Sequence, residues 1–94
     1  MVKVMIERHC QADKEAEFKD LLAQLRSKAV RQLGYYSGET LRGMADSSLW
    51  LVISSWSTVE MWKKWQNSPE RQELLSKMEP LATPEKITLF ESLF

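Results

Sequence analysis

The sequence has little of several residue types, and each shortage narrows the kind of protein that it can encode. It contains one cysteine, Cys10, which excludes an internal disulfide, and one histidine, His9. These two side chains fall short of the four ligands that a structural zinc site needs, so no metal site is predicted. Three glycines and three prolines form no linker, repeat or low-complexity segment. We therefore expect one domain, residues 1–94, with a single hydrophobic core.

Neither sign of charge is in excess. Thirteen Lys and Arg residues balance thirteen Asp and Glu residues, and no basic block stands out. Proteins that bind nucleic acids or anionic membranes carry such a block, so neither partner is predicted. No apolar run approaches the roughly 20 residues that cross a membrane, and the N-terminal MVKVMIERHC alternates charged with apolar residues, unlike a secretion signal. These patterns predict a cytoplasmic protein.

Tryptophan, by contrast, is concentrated in one part of the chain. All four tryptophans, Trp50, Trp56, Trp62 and Trp65, lie between residues 50 and 65. Two short elements need less aromatic surface than this for packing, so the tryptophans are candidates for the wall of a pocket that binds a flat organic molecule. The alternative is that they form part of the core.

The spacing of apolar residues predicts four strands and three helices. Alternation at every second residue predicts strands at Val2–Cys10, Tyr35–Arg42, Leu49–Trp56 and Lys86–Phe94. Helical spacing predicts a helix that begins at Asp13 and stops at Gly34, a second with a capping box at Ser57 and Glu60, and a third that starts at Ser68 and Pro69. This order is that of an α+β, ferredoxin-like split βαβ fold with a four-stranded antiparallel sheet.

The third predicted strand is apolar on both faces, which bears on assembly. Its odd-numbered residues from Leu49 to Ile53 point one way, and Trp50, Val52 and Trp56 point the other. Helices cover only one face of such a sheet, so the other face predicts a homodimer in which two sheets pack face to face. Trp56 is expected to pack the following helix onto the sheet, whereas Trp50 is a candidate anchor of the dimer interface.

Three segments carry a family resemblance over nearly the whole chain. They are GYYSGE at residues 34–39, Trp56 with Ser57, and WQNSPER at residues 65–71. With these segments the sequence resembles the antibiotic biosynthesis monooxygenase family of small dimeric α+β-barrel domains. The resemblance implies a pocket between the sheet and the helices of each subunit. It also implies, as in several members, oxygenation of a small aromatic or quinol-type substrate without flavin or metal.

The candidate catalytic and aromatic site residues follow from side-chain chemistry. His9 is the candidate general base, because histidine readily exchanges a proton near neutral pH. Strand parity places it on the face of Met5, and the alternative is a half-exposed histidine at a strand end. Trp62 and Trp65 lie three residues apart on one helical face and are candidates for substrate binding, with plain core as the alternative.

Three further polar residues are candidates for substrate binding. Tyr35 and Tyr36 begin the second strand and are expected to point to opposite sides, so that one phenol reaches the pocket and holds a substrate oxygen. A tyrosine satisfied by backbone or water is the commoner alternative. Asn67 is expected to end its helix, with a pocket role as the second option. The neighbouring Glu70 and Arg71 are expected on a solvated helix face.

A branch of the same superfamily degrades haem, and the resemblance to it is incomplete. Trp65 matches that branch's functional tryptophan, but Leu75 stands where its iron-ligating histidine should be, and the strand-one asparagine is also missing. Haem degradation is therefore disfavoured. Two functions stay open: a cofactor-independent monooxygenase, and a non-catalytic dimeric module that binds a small ligand in the same pocket.

Overall fold

The computed structural model describes residues 1–94 and contains a four-stranded antiparallel sheet with its helices on one face. The strands are β1 (Val2–His9), β2 (Tyr35–Arg42), β3 (Leu49–Trp56) and β4 (Lys86–Glu91). The helices are α1 (Glu15–Ala29), preceded by a 3-10 turn at Ala12–Lys14, then α2 (Val59–Gln66) and α3 (Pro69–Met78). The spatial strand order is β2-β3-β1-β4, so the predicted ferredoxin-like α+β fold is confirmed. None of the helices has the length and apolar character needed to cross a bilayer.

Strand register decides which side chains meet the helices. In the antiparallel β1–β3 pair, Val2 lies opposite Trp56 and Arg8 lies opposite Trp50. Residues that face each other across a ladder point to the same side, so the even-numbered residues of both strands face the helices. The predicted division of β3 into two faces is confirmed. On β1 this face consists of buried side chains, namely Val2, Val4, Ile6 and Arg8.

Trp50 belongs to the core beneath α1. Its ring meets that of Phe18 edge to face, with centroids 5.4 Å apart and planes at 86°, and only 7% of the residue is exposed. The prediction that Trp50 anchors a dimer is therefore wrong. The reason is strand parity, since Trp50 and Trp56 share a face and α1 covers that face at the Trp50 end.

Two helices begin at different residues from those predicted. The 3-10 turn places the start of α1 after Lys14 with no side-chain cap, so Asp13 does not cap it. Helix α2 is capped by Thr58, which accepts a hydrogen bond from the backbone N–H of Met61 at 3.2 Å. Ser57 is not the cap, because its own N–H donates to the carbonyl of Gly34 at 2.8 Å and still belongs to the strand connection.

The ends of two strands also differ slightly from the prediction. β1 stops at His9, because Cys10 makes only an isolated bridge to Ala82. β4 ends at Glu91, three residues before the predicted Phe94. The apolar alternation therefore continues beyond the residues that find a pairing strand.

Gly34 has a different role from the helix stop that was predicted. Helix α1 already ends at Ala29, and Gly34 has φ +90°, a left-handed conformation that leads into β2. A Cβ at Gly34 would lie 2.3 Å from Met61 Sδ and 2.8 Å from Met61 Cβ. Glycine is thus needed both for the backbone turn and for the close approach of α2.

We predict that Gly34→Ala lowers the free energy of unfolding by about 1–3 kcal/mol, because a side chain at this φ is strained and also meets Met61. Urea unfolding followed by tryptophan fluorescence measures the change. The double variant with Met61→Ala relieves the contact with Sδ but not the backbone strain, so it should recover only part of the loss. An unchanged midpoint for Gly34→Ala would contradict this account.

Candidate functional site

A cavity lies between the helix face of the sheet and helices α1 and α2. Its volume is about 70 Å³, which accommodates several water molecules. Apolar groups from both layers form most of its wall, and polar side chains lie at its end. The residues on which its chemistry depends are Trp56, Trp62, Trp65, Tyr35, Arg8 and Arg71.

The aromatic wall is held in place by contacts among its own members. Tyr35 and Trp56 meet edge to face at 5.4 Å and 87°, and the Trp56 and Trp62 rings lie 5.8 Å apart at 60°. The indole N–H of Trp56 donates to Ser54 Oγ at 3.0 Å. These contacts fix the orientation of the rings, so the wall presents a defined aromatic surface to the cavity.

The polar end of the cavity is an ion triad in which two arginines share one carboxylate. Arg71 forms a bidentate pair with Glu85, from Nη1 to Oε1 at 3.2 Å and from Nη2 to Oε2 at 2.8 Å. Arg8 Nη2 donates to the same Oε2 at 2.5 Å. The two guanidinium side chains are 5% and 3% exposed, and Glu85 is 19% exposed. The triad therefore places a net positive charge at the end of a mostly apolar cavity.

Arg71 is one of the most buried residues of the chain, so its predicted place on a solvated helix face is wrong. Its Cζ lies 5.3 Å from the centre of the Trp62 ring, within range of a cation–π contact. The physical reason is helical spacing, because Arg71 stands three residues before Leu74 and seven before Met78, both of which are buried. It occupies the first position of the inward face of α3.

Burial in this triad weakens the hold of Arg8 on its proton. Desolvation lowers the pKa of Arg8, and the neighbouring charge of Arg71 acts in the same direction, while Glu85 opposes both. An arginine nevertheless stays protonated inside proteins. Arg8 is therefore a permanent cation whose charge the protein only partly compensates.

A second, open cleft of about 370 Å³ lies on the other side of the triad, at the end of α3 and the loop to β4. Arg8 lines both the cleft and the cavity, and Glu85 lines the cleft. The remaining wall of the cleft includes Gln72, Leu75 and Thr83. The triad thus forms a charged partition between an inner aromatic cavity and an outer cleft.

The structure brings three of the predicted site residues together. Tyr35, Trp62 and Trp65 all line the cavity. Tyr36 is 68% exposed, because a register shift between Tyr35 and Ser37 leaves it without a strand partner. Asn67 is exposed at the end of α2, where its backbone N–H donates a hydrogen bond to the carbonyl of Lys63. Neither Tyr36 nor Asn67 lines the cavity.

His9 lies outside the cavity, on the opposite face of the sheet. Its side chain is 52% exposed, and its Nδ1 is 3.0 Å from Ser48 Oγ and 3.7 Å from Asp46 Oδ2. Ser48 donates hydrogen bonds to Asp46 from both its hydroxyl and its backbone N–H, and these bonds lower the pKa of Asp46. The His9 side chain therefore lies against a solvent-exposed turn. No group of three or more His, Cys, Asp or Glu side chains is arranged to hold a metal ion.

The triad is the part of the site that sequence reasoning missed. Arg8 carried a usable signal, since it continues the buried side of β1 after Val2, Val4 and Ile6. A charged residue at a position where the pattern requires an apolar one marks either a strand end or a buried polar site. Glu85 carried no such signal, because it lies in the loop just before β4.

A family model described as antibiotic biosynthesis monooxygenase matches residues 1–77. The chain belongs to the antibiotic biosynthesis monooxygenase family. The matched range contains β1, Arg71 and the whole aromatic wall, and it ends before Glu85. No curated protein matches the sequence.

Solved structures share the fold of this family member at low sequence identity. A Deinococcus radiodurans protein superposes with a TM-score of 0.92 at 17% identity, over 100% of this chain and 94% of that chain. A Nitrosomonas europaea protein superposes with a TM-score of 0.90 at 14% identity, over 100% of both chains. A third structure is that of SnoaB from Streptomyces nogalater, a cofactor-independent oxygenase. It superposes with a TM-score of 0.86 at 18% identity, over 99% of this chain and 94% of that chain. At these identities the likeness establishes the fold.

In this family member we predict that Glu85→Ala lowers the free energy of unfolding by about 3 kcal/mol, because it leaves two buried guanidinium groups without their shared carboxylate. Urea unfolding measures the loss. The matched control is Glu70→Ala, which removes an exposed carboxylate 3.8 Å from Lys28 Nζ and should change stability by less than about 1 kcal/mol. Equal effects of the two substitutions would contradict the assigned role of the triad.

Proposed function

We propose that the protein is a cofactor-independent monooxygenase that oxidises a small aromatic or quinol-type substrate with dioxygen inside the cavity. The observation that carries this proposal is the wall of Trp56, Trp62, Trp65 and Tyr35 that ends at two buried arginines. Membership in the antibiotic biosynthesis monooxygenase family supports the reaction type. The aromatic wall and the positive charge support the chemical class of the substrate.

The proposed reaction needs no external reductant. A hydroquinone that loses a proton becomes electron-rich enough to transfer an electron to dioxygen, and the resulting radical pair combines at a ring carbon. One oxygen atom stays on the ring and the other leaves as water. The substrate supplies all four electrons, two from the ring C–H that becomes C–O and two from oxidation of the hydroquinone to the quinone. The protein contributes orientation, exclusion of water and stabilisation of the anion.

Individual side chains have distinct parts in this proposal. Trp62 and Trp65 are 2% and 4% exposed, so they offer the substrate ring a dry surface. The hydroxyl of Tyr35 donates no hydrogen bond within the chain, and Tyr35 lines the cavity, so its phenol is available to a substrate oxygen. Arg8 and Arg71 face the negative charge that develops on the substrate oxygen when the proton leaves.

The size of the cavity favours a small substrate. Its 70 Å³ is well below the roughly 300 Å³ at which typical ligand pockets begin. A cavity of about 150 Å³ is known to hold benzene, so even a single aromatic ring requires some opening of the wall, and larger ring systems require more. We therefore favour monocyclic hydroquinones and phenols over three-ring anthrones.

A second candidate function is a module that binds the same ligands without oxidising them. The observation that favours it is the scarcity of proton acceptors, since the charged side chains around the cavity are mostly arginines. His9 lies on the opposite face of the sheet and would have to act from outside the cavity. Oxygen consumption separates the two functions, because binding alone consumes none.

We also propose that the protein forms a homodimer through the sheet face that lacks helices. Met5, Leu51 and Ile53 lie on this face and are only partly buried in the single chain. Leu41 and Phe90 extend the apolar surface toward the two edges and are 41% and 46% exposed. Apolar side chains from all four strands on a sheet face without helices are typical of an interface between subunits.

We predict that the wild-type protein consumes dioxygen with a monocyclic hydroquinone and that Tyr35→Phe lowers kcat/KM about tenfold, because a buried substrate oxygen loses its hydrogen-bond donor. An oxygen electrode measures the rate. Tyr36→Phe is the matched control and should retain the wild-type rate. His9→Ala should also retain it, and a large loss in that variant would restore the histidine as base. Saturable binding with no oxygen uptake would favour the binding module.

We predict that the wild-type chain sediments as a dimer and that Ile53→Glu converts it to a monomer, because a carboxylate in the middle of the apolar face cannot be buried unpaired. Sedimentation velocity measures the change. Leu33→Glu, at a leucine that is 80% exposed outside the sheet, is the control and should leave the dimer intact. A monomeric wild-type protein would remove the proposed interface.

A further inference from the structure

The charges of the buried triad do not balance, and the excess lies beside the cavity. Arg8 and Arg71 carry two positive charges, and Glu85 carries the only negative charge that contacts them. Burial of an uncompensated cation is unfavourable, so an anionic ligand that supplies the missing charge would be bound favourably. The triad is therefore incomplete as a structural ion pair.

Unused hydrogen-bond donors point to the same conclusion. Arg8 donates one hydrogen bond within the chain, from Nη2 to Glu85, which leaves the N–H groups of Nε and Nη1 without a protein acceptor. Among side-chain nitrogen and oxygen atoms that are fully buried, only Trp50 Nε1 lacks a partner. The free nitrogens of Arg8 consequently reach the surface of the cavity or the cleft that this residue lines.

Other charged groups near the cavity do not cancel the excess. Arg26 also lines the cavity, and its Nη1 donates to the carbonyl of Gly38 at 2.9 Å. Glu39 also lies beside the cavity, but its strand partner is Ile53, whose side chain lies on the face away from the helices. The carboxylate of Glu39 therefore lies on that face too, and not in the cavity. The electrostatic character of the inner cavity is therefore positive.

We propose that Arg8 and Arg71, held by Glu85, form an anion subsite that binds the oxyanion of an aromatic ligand whose ring lies against the tryptophan wall. The ring enters the apolar part of the cavity as the wall opens to admit it, and the negative oxygen accepts hydrogen bonds from the free N–H groups of Arg8 and completes the charge balance. The ligand class is thus an ionised phenol or enol. This inference deepens the proposed function by naming the form of substrate that binds, but binding itself needs no oxygen.

An optical probe tests the subsite directly. 4-Nitrophenol has one ring, ionises near neutral pH and is yellow only as the phenolate, so its absorbance reports which form the protein binds. Titration of pH under nitrogen, with and without saturating protein, gives the ionisation midpoint of the bound probe. We expect the midpoint to fall by about one pH unit, which corresponds to about tenfold tighter binding of the phenolate than of the phenol.

Three variants separate charge from structural damage. Arg8→Gln leaves the bidentate Arg71–Glu85 pair intact but removes the excess charge, so the shift in midpoint should disappear. Arg8→Lys restores a cation and should restore most of the shift. Arg42→Gln is the matched control, because Arg42 also stacks on a tryptophan, with Cζ 5.5 Å from the centre of the Trp50 ring, but does not line the cavity. It should behave like the wild type.

The result that overturns the proposal is an unshifted midpoint in the wild-type protein, a shift that survives in Arg8→Gln, or no saturable binding of the probe. Displacement of the probe by benzoate but not by benzamide would support the subsite and extend it to carboxylates. Tight phenolate binding without oxygen uptake from any hydroquinone would support the anion subsite and contradict the oxygenase proposal. The two proposals therefore fail by different measurements.

Discussion

The pairing of two buried arginines with one glutamate connects distant parts of the fold. Arg8 ends the buried side of β1, Arg71 begins the inward face of α3, and Glu85 stands 77 residues from Arg8 in the chain, just before β4. Removing Glu85 leaves both guanidinium groups uncompensated in a medium of low polarity. The triad therefore fixes the position of α3 against the sheet, and with it the depth of the cavity that Trp62 and Trp65 close.

The need of buried guanidinium groups for hydrogen-bond partners also explains why a cavity remains in the core beside the triad. The core consists of two hydrophobic clusters, one around Phe18 and Trp50 and the other around Trp56 and Trp62. The cavity lies against the second cluster, where Tyr35 and the two arginines replace aliphatic side chains. A guanidinium stacked on an indole cannot pack as closely as a leucine, because its N–H groups must reach acceptors or water. Aromatic surface and positive charge meet at the place where packing leaves room.

Sequence patterns predicted the fold well because the relevant interactions are local. Period-two alternation gave the strands, and strand parity separated the faces of β3. Strand parity does not identify the element that covers each face, so it does not reveal that α1, and not a second subunit, covers Trp50. Charged residues of helices are usually exposed, which predicts a solvated Arg71, and only its spacing from Leu74 and Met78 indicates that it is buried. The Arg8–Glu85 pair depends on tertiary folding, and no spacing within the chain predicts it.

The distribution of charge also limits how the chemistry can work. A general base takes a proton from the substrate inside the site, whereas a fixed cation makes the substrate more acidic and lets the proton pass to water before or during entry. This cavity has buried cations and no histidine, so the second route is the one that its residues support. Because an anion bound to arginine in a dry site is stabilised, its reactivity toward dioxygen must be balanced against that stabilisation. In the proposed reaction, the net positive charge of the triad favours ionisation of the ligand, and the partial neutralisation by Glu85 limits how far the bound anion is stabilised.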